Sequence, residues 1–195
     1  VGESVLMYVD LARGHKALGG SALAQTFSQL GDEVPDVRDS DLIRDYFDAI
    51  SQMHEIGVVL AYHDISDGGL ITAIAEMMFA GRCGAEIMID GFTDSSALPH
   101  ILKSLFNEEL GAVFQVRKSD ESRFRSCFST CGPPAGMVRK IGRIPAVTKQ
   151  ELSIRYGQQS ILHMRRSEMQ QMWSNTSYQM QRIRDIVKIK RNIAH

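Results

Sequence analysis

Seven residues, His63-Asp64-Ile65-Ser66-Asp67-Gly68-Gly69, join an apolar run, Gly57-Val58-Val59-Leu60-Ala61-Tyr62, to a helix-like stripe, Leu70-Ile71-Thr72-Ala73-Ile74-Ala75-Glu76-Met77-Met78. A strand that ends in acids, a hydroxyl and paired glycines and then enters a helix restricts the chain to folds mixing sheet and helix at one junction. The chemistry of such a junction is specific. Backbone N–H groups at a helix start attract anions. Glycine lets the backbone approach a ligand closely. A carboxylate beside phosphates can hold Mg²⁺. The element as a whole is therefore a candidate for binding phosphate and a divalent metal together, with the acids Asp64 and Asp67, the Ser66 hydroxyl and the Gly68-Gly69 backbone available to it. The same residues also fit a plainer account, in which Asp67 or Ser66 caps the helix and Gly68-Gly69 permits a turn. The local pattern leaves both open.

The chain has 195 residues, enough for one large domain or one domain with an appendage. Its apolar share of 44% supports a real core. No apolar run reaches the length of a membrane span. The start, Val1-Gly2-Glu3-Ser4, lacks the basic and apolar regions of a signal peptide. It also lacks Met and leads at once into a strand-like run, Val5 to Val9, so a piece of a longer protein is expected. Cys83, Cys127 and Cys131 are odd in number and form no C-x-x-C pair, which points to a reducing compartment and a cytoplasmic location. Cys127 and Cys131 lie four apart, so both can face the core from one helix. No further ligands fall at a spacing useful for zinc.

Charge is uneven although the total is −1. Residues 163–195 hold Arg165, Arg166, Arg182, Arg184, Lys188, Lys190 and Arg191 against Glu168 and Asp185. A basic tail can bind nucleic acid, but this one carries few aromatics beyond Trp173 and Tyr178, so a solvated face or docking on an acidic neighbour is preferred.

Periodicity predicts strands at Ser4–Leu11, Ala85–Ile89, Gly111–Val116 and Met137–Ile144, and a hairpin turning at Tyr156-Gly157. It predicts helices over Ala22–Leu30, from Ser40 or Asp39 through Met53, over Leu70–Ala80, along Leu98–Phe106, after a Ser119 cap, and over Ser167–Asp185. Gly57 and Gly81 are expected to close two of them, and Gly132-Pro133-Pro134 to break a third. Strands alternating with helices, then a hairpin, indicate an α+β, layered α/β domain with a mixed sheet and helices packed on its faces. Residues 1–164 are expected to form that domain, and 165–195 a terminal helix with a basic linker.

Three motifs in order carry a resemblance: Ala17-Leu18-Gly19-Gly20-Ser21-Ala22-Leu23-Ala24-Gln25, Tyr62 to Leu70, and Leu105-Phe106-Asn107-Glu108-Glu109-Leu110-Gly111-Ala112. Together they resemble the second carboxy-terminal half-domain of the large phosphoribosylformylglycinamidine synthase family. The segment Trp173 to Asp185 resembles the stretch that comes after that domain in the family. The His-Asp-x-Ser-x-Gly-Gly element is shared across the aminoimidazole ribonucleotide synthetase superfamily, including selenophosphate synthetase and hydrogenase-maturation relatives.

The resemblance implies the aminoimidazole ribonucleotide synthetase C-terminal fold and an ATP-dependent, amidine-forming ligase. That family converts formylglycinamide ribonucleotide to formylglycinamidine ribonucleotide with ATP and glutamine. ATP phosphorylates the amide oxygen, and ammonia from a separate glutaminase domain displaces the phosphate. Asp64 resembles the Mg²⁺ ligand of an auxiliary site that holds structural ADP, and Ser66 a contact of the same nucleotide. The other ligands are implied to lie in a preceding half-domain. Gly19, Gly20 and Ser21 are candidate phosphate contacts, with a purely structural turn equally open. No catalytic residue is assigned. His63 is expected to hold the loop by hydrogen bonding. Glu108 and Glu109, adjacent on an expected helix, point apart, so helix-end packing is preferred to a proton-sharing pair. Trp173 is expected to anchor the terminal segment. Ile186 to His195 departs from the family's usual acidic linker. The alternatives are another synthetase of the superfamily, of aminoimidazole ribonucleotide or selenophosphate type, or a non-catalytic interaction module using the basic tail.

Overall fold

β1 (Ser4–Asp10) is buried along its whole length and lies inside a sheet covered on both faces. Alternate side chains point to opposite faces. Val5, Met7 and Val9 enter one core, and Leu6 and Tyr8 enter the other. That is why the run lacks an apolar–polar alternation. The computed structural model describes residues 3–131 and 134–193, with side chains left aside at 130, 131, 135 and 186–193. The expected break at Gly132-Pro133, the side chain of Cys131 and the side chains of the last ten residues lie outside that description.

Six further strands complete the sheet: β2 (Val59–Asp64), β3 (Ala85–Met88), β4 (Gly111–Arg117), β5 (Val138–Arg143), β6 (Glu151–Tyr156) and β7 (Gln159–Arg165). The order is β2-β4-β1-β5-β3-β6-β7, with β3 and β6 parallel and the other pairs antiparallel. The sheet is mixed, and the fold is the expected layered α+β type.

One face carries α2 (Ser40–Glu55) and α5 (Glu121–Cys131), through Leu42, Tyr46, Ala49, Met53, Phe124, Cys127 and Phe128. Phe114 of β4 meets Phe124 edge-on at 5.1 Å, a geometry that adds about 0.5–1.5 kcal/mol beyond burial. The other face carries α3 (Gly69–Gly81) and α4 (Leu98–Phe106), through Leu70, Ala73, Ile74, Met78, Ile101 and Leu105. Met169 of α6 (Arg166–Ile193) packs against that second core. No helix among the described residues is long and apolar enough to cross a membrane.

Several boundaries differ from expectation for local reasons. The first helix, α1 (Ala22–Thr26), stops short of Leu30. Ser28 has φ 55° and Gly31 φ 77°, and the chain doubles back so that Leu30 and Glu33 accept from Gly20 and Gly19. Asp39, not Ser40, caps α2, its side chain accepting from Leu42 N at 3.0 Å. Ser119 lies inside a 3₁₀ turn, Lys118–Asp120, and caps nothing. The terminal helix runs to Ile193, well past Asp185.

Gly69 shows where the sheet end is locked. Its φ is +73°, and an added Cβ would lie 2.6 Å from the Asn107 carbonyl oxygen and 2.7 Å from the Phe106 carbonyl carbon. Backbone cannot yield there as a flexible side chain could. Gly57, at φ +65°, has nothing within 4 Å. Gly69→Ala should therefore cost about 2–4 kcal/mol, strain and overpacking together, and Gly57→Ala about 1–2 kcal/mol from backbone strain alone. Urea denaturation of the two variants compares them directly.

Candidate functional site

β1 and β2 flank β4 and both run antiparallel to it, so they end at the same end of the sheet, with Asp10 opposite Gly111 and Asp64 opposite Ala112. β3 runs the same way, being antiparallel to β5, which is antiparallel to β1. Asp10, Asp64 and Asp90 thus mark one end of the sheet. The carboxyl ends of strands are where open sheets mixed with helices bind ligands.

Within this end the His63–Gly69 element leaves β2 and starts α3. Asp64 is 69% exposed and Ser66 is exposed. Ile65 turns inward and donates N–H to Gly111 O at 2.8 Å, which pins the loop to β4. The Ser66 carbonyl accepts from Gly69 N at 2.9 Å and closes the turn. Gly68 is the residue preceding α3, with φ 84° and no side-chain cap. The capping role considered for Asp67 or Ser66 is thus not adopted. A left-handed backbone at Gly68 carries the chain past the point where those side chains could reach back to the first helical N–H groups.

The missing cap comes from elsewhere. Glu108 Oε1 accepts from Gly68 N at 2.7 Å and from Ala22 N at 2.8 Å. One carboxylate therefore joins the starts of α3 and α1, and with them two of the three sequence motifs. A negative charge at a helix start also opposes the positive end of the helix dipole, an effect of about 0.3–1 kcal/mol. Glu108 does not sit on a helix as expected. α4 ends at Phe106, Asn107 is extended, and the two glutamates lie in the link to β4. They point apart, Glu108 toward Gly68 and Ala22 and Glu109 toward Arg38. Glu109 turns inward, is 1% exposed, and meets Arg38 through two bonds of 2.7 and 3.1 Å. Its Oε1 also accepts from Ala17 N at 3.3 Å. The Glu109 carboxylate raises the Arg38 guanidinium above its ordinary range.

Gly19, Gly20 and Ser21 lie beside this assembly, and their N–H groups are used within the turn. Gly19 donates to Glu33 O at 2.6 Å, Gly20 to Leu30 O at 2.7 Å and Ser21 to Leu18 O at 3.3 Å. Ser21 is fully buried, and its hydroxyl donates to Leu18 O at 2.6 Å and accepts from Ala24 N. Donors committed to carbonyl partners are not offered to a phosphate, and the structural-turn alternative accounts for all three residues.

His63 bonds the Asp64 carbonyl oxygen through Nδ1 at 2.6 Å and Glu76 Oε2 through Nε2 at 2.9 Å, the loop-holding part expected of it. Neither Glu76 nor Arg38 stands out in the sequence. Each lies on a different element from its partner, and no short-range pattern marks such pairs.

Asp10 completes the sheet end. Burial raises its carboxyl, and N–H bonds from Gly14 and Ala12 partly offset that. Among the described residues no three His, Cys, Asp or Glu side chains are grouped to hold a metal. Asp64 offers one exposed carboxylate, with the Ser66 hydroxyl two residues on. One carboxylate plus nucleotide phosphates is a sufficient protein share for Mg²⁺, which keeps much of its water. The residues fit the metal as part of a shared site.

Comparison with known proteins places these features. Residues 3–154 match the family model described as AIR synthase related protein, C-terminal domain. The chain is 40% identical over 185 residues to the phosphoribosylformylglycinamidine synthase of Schizosaccharomyces pombe, covering 95% of this chain and 14% of that protein. Its identity to the Saccharomyces cerevisiae synthase is 41% over 189 residues, covering 94% and 14%. The chain thus spans about a seventh of the length of these curated relatives. Among solved structures, Thermotoga maritima PurL complexed with FGAR has a TM-score of 0.65 at 15% identity, covering 85% of this chain and 27% of that one. Escherichia coli HypE, a hydrogenase maturation protein, has a TM-score of 0.52 at 18% identity, covering 79% and 46%. At these identities the structural likeness is one of fold.

Replacing Glu108 tests the bridge. Glu108→Ala should cost about 1–3 kcal/mol through two unsatisfied N–H groups. Arg38→Ala strands the buried Glu109 carboxylate and should lower stability. Guanidinium denaturation measures both, and only Glu108→Ala should increase hydrogen exchange at Gly68 and Ala22 together.

Proposed function

We propose that this chain, which belongs to the AIR synthase related protein C-terminal domain family, supplies half of a magnesium–nucleotide site in a longer phosphoribosylformylglycinamidine synthase. In that reading the whole enzyme is an ATP-dependent ligase of purine biosynthesis. It acts on formylglycinamide ribonucleotide with ammonia from a glutaminase domain, in the cytoplasm. The solved Thermotoga maritima relatives were complexed with ATP, ADP and FGAR, which supports nucleotide and substrate of that kind.

One observation carries the local part of the proposal. The start of α3 presents two glycines and no side-chain cap, yet Glu108 already bonds Gly68 and Asp64 ends the adjoining strand. Two carboxylates beside one helix start repel a polyphosphate. A divalent cation between Asp64 and the phosphates removes that conflict. Asp64 would hold the metal, with the Ser66 hydroxyl facing the nucleotide; the Gly68 and Gly69 N–H groups are already taken by Glu108 Oε1 and Ser66 O and shape the turn. When bound, Mg²⁺ would neutralise phosphate charge. The chain's own residues orient and hold the nucleotide; no group here is assigned to bond making.

A half-site needs a neighbour, and the surface offers a seat for one. Phe27 and Leu30 are 70% and 80% exposed, and Val34 and Val37 are exposed beside them. Leu30 and Val34 border the Gly19–Ser21 turn, through the Leu30 carbonyl on Gly20 N and the Val34 side chain beside Gly19. Apolar side chains grouped this way mark a surface that another part of the protein covers. The preceding half-domain of the longer chain is the proposed occupant.

Calorimetry with ADP tests the site in a chain that includes that half-domain. Asp64→Asn should weaken Mg²⁺–ADP binding by at least about tenfold, the loss typical of weakened metal sites. It should change metal-free ADP binding far less. Ser66→Ala should weaken binding with and without metal. Tight Mg²⁺–ADP binding that survives both substitutions would remove the roles assigned to them.

A further inference from the structure

α6 is tied to α3 at two places. Trp173 Nε1 donates to Glu76 Oε1 at 2.9 Å, and its ring meets Phe79 at 5.7 Å with the planes tilted by 57°. Just past the end of α3, Arg82 O accepts from Gln150 Nε2 at 2.9 Å, and Gln150 Oε1 accepts from Arg166 Nε at 2.8 Å. The same Glu76 that holds Trp173 through Oε1 holds His63 through Oε2, and His63 holds the Asp64 carbonyl. Glu76 is thus shared between the terminal helix and the loop at the end of β2. A continuous line of contacts at hydrogen-bond distance runs Trp173–Glu76–His63–Asp64.

We infer that α6 positions the Asp64 loop through this line, with Glu76 and His63 as positioning residues and Trp173 as the grip. The inference rests on the proposed nucleotide role of Asp64 and adds a direction of control: whatever moves α6 changes nucleotide affinity. The geometry favours transmission. Glu76 is on α3, a rigid element whose first residue, Gly69, is wedged against the Asn107 and Phe106 backbone. His63 is only 23% exposed and cannot swing freely. Trp173 is 59% exposed, so its hydrogen bond adds little to folding stability and its loss is felt mainly through Glu76. The other contacts of α6, Arg166 with Gln150 and Met169 with the second core, lie away from the Asp64 loop.

The test uses the full-length protein. Trp173→Phe removes the indole N–H and keeps a ring for Phe79. It should weaken Mg²⁺–ADP binding about threefold to tenfold, the equivalent of one hydrogen bond, with no change in melting temperature. In a His63→Asn background the same substitution should have less than about a twofold effect, because residues joined in one network are not additive. Hydrogen exchange at residues 64–69 should rise in Trp173→Phe. Unchanged affinity in Trp173→Phe, or an equal loss in both backgrounds, would overturn the coupling. Asp64→Asn is measured alongside. If it abolishes binding while Trp173→Phe has no effect, the coupling alone fails. If it too leaves binding intact, the nucleotide reading fails with it.

Discussion

The carboxylate of Glu108 holds the sheet end together. It accepts from Gly68 and from Ala22, so the α3 and α1 starts cannot separate without leaving two N–H groups unpaired. The adjacent Glu109 faces the opposite way and fastens Arg38 and Ala17 behind it. The four-residue link Asn107–Leu110 therefore serves as a two-sided clasp between the loops after β1 and β2. Gly69 sets its spacing, since only a residue without Cβ fits against the link's backbone. Remove the clasp and the strand ends remain, but the loops that make the site lose their common reference.

The electrostatics of the clasp shape what the site can accept. A helix start favours anions, but Glu108 already occupies that role at α3. An exposed Asp64 next to it adds a second negative charge. Such a place is poor for a free phosphate and good for a phosphate accompanied by a divalent cation. The N–H groups of the Gly19–Ser21 turn are taken up by Leu18, Leu30 and Glu33.

Much of this is legible in the chain itself. Apolar stripes locate α2, α3 and α4, because those helices bury one face against the sheet. The run Val5–Val9 announces a strand. The importance of His63–Gly69 and Leu105–Ala112 is visible as a set of motifs. What the motifs do to one another is not. The Glu108 contact to Ala22 spans 86 positions and the Arg38–Glu109 pair spans 71. Such distances are set by strand order, which no local pattern encodes. The early end of α1 at Thr26 is hidden for the same reason: Gly19 and Gly20 draw the later chain back through tertiary hydrogen bonds. The choice between a capped helix and an uncapped one at Ser66–Gly68 depends on a carboxylate forty residues away.

Everything proposed for the site depends on Asp64 holding a metal at nucleotide phosphates. The most direct measurement is a crystal structure of a longer chain, including the preceding half-domain, grown with Mn²⁺ and ADP and read by anomalous scattering. An anomalous peak is expected about 2.0–2.5 Å from the Asp64 carboxylate, bridging it to the ADP phosphates, as for a hard divalent cation on oxygen. A metal and nucleotide bound elsewhere, with Asp64 facing only solvent, would contradict it.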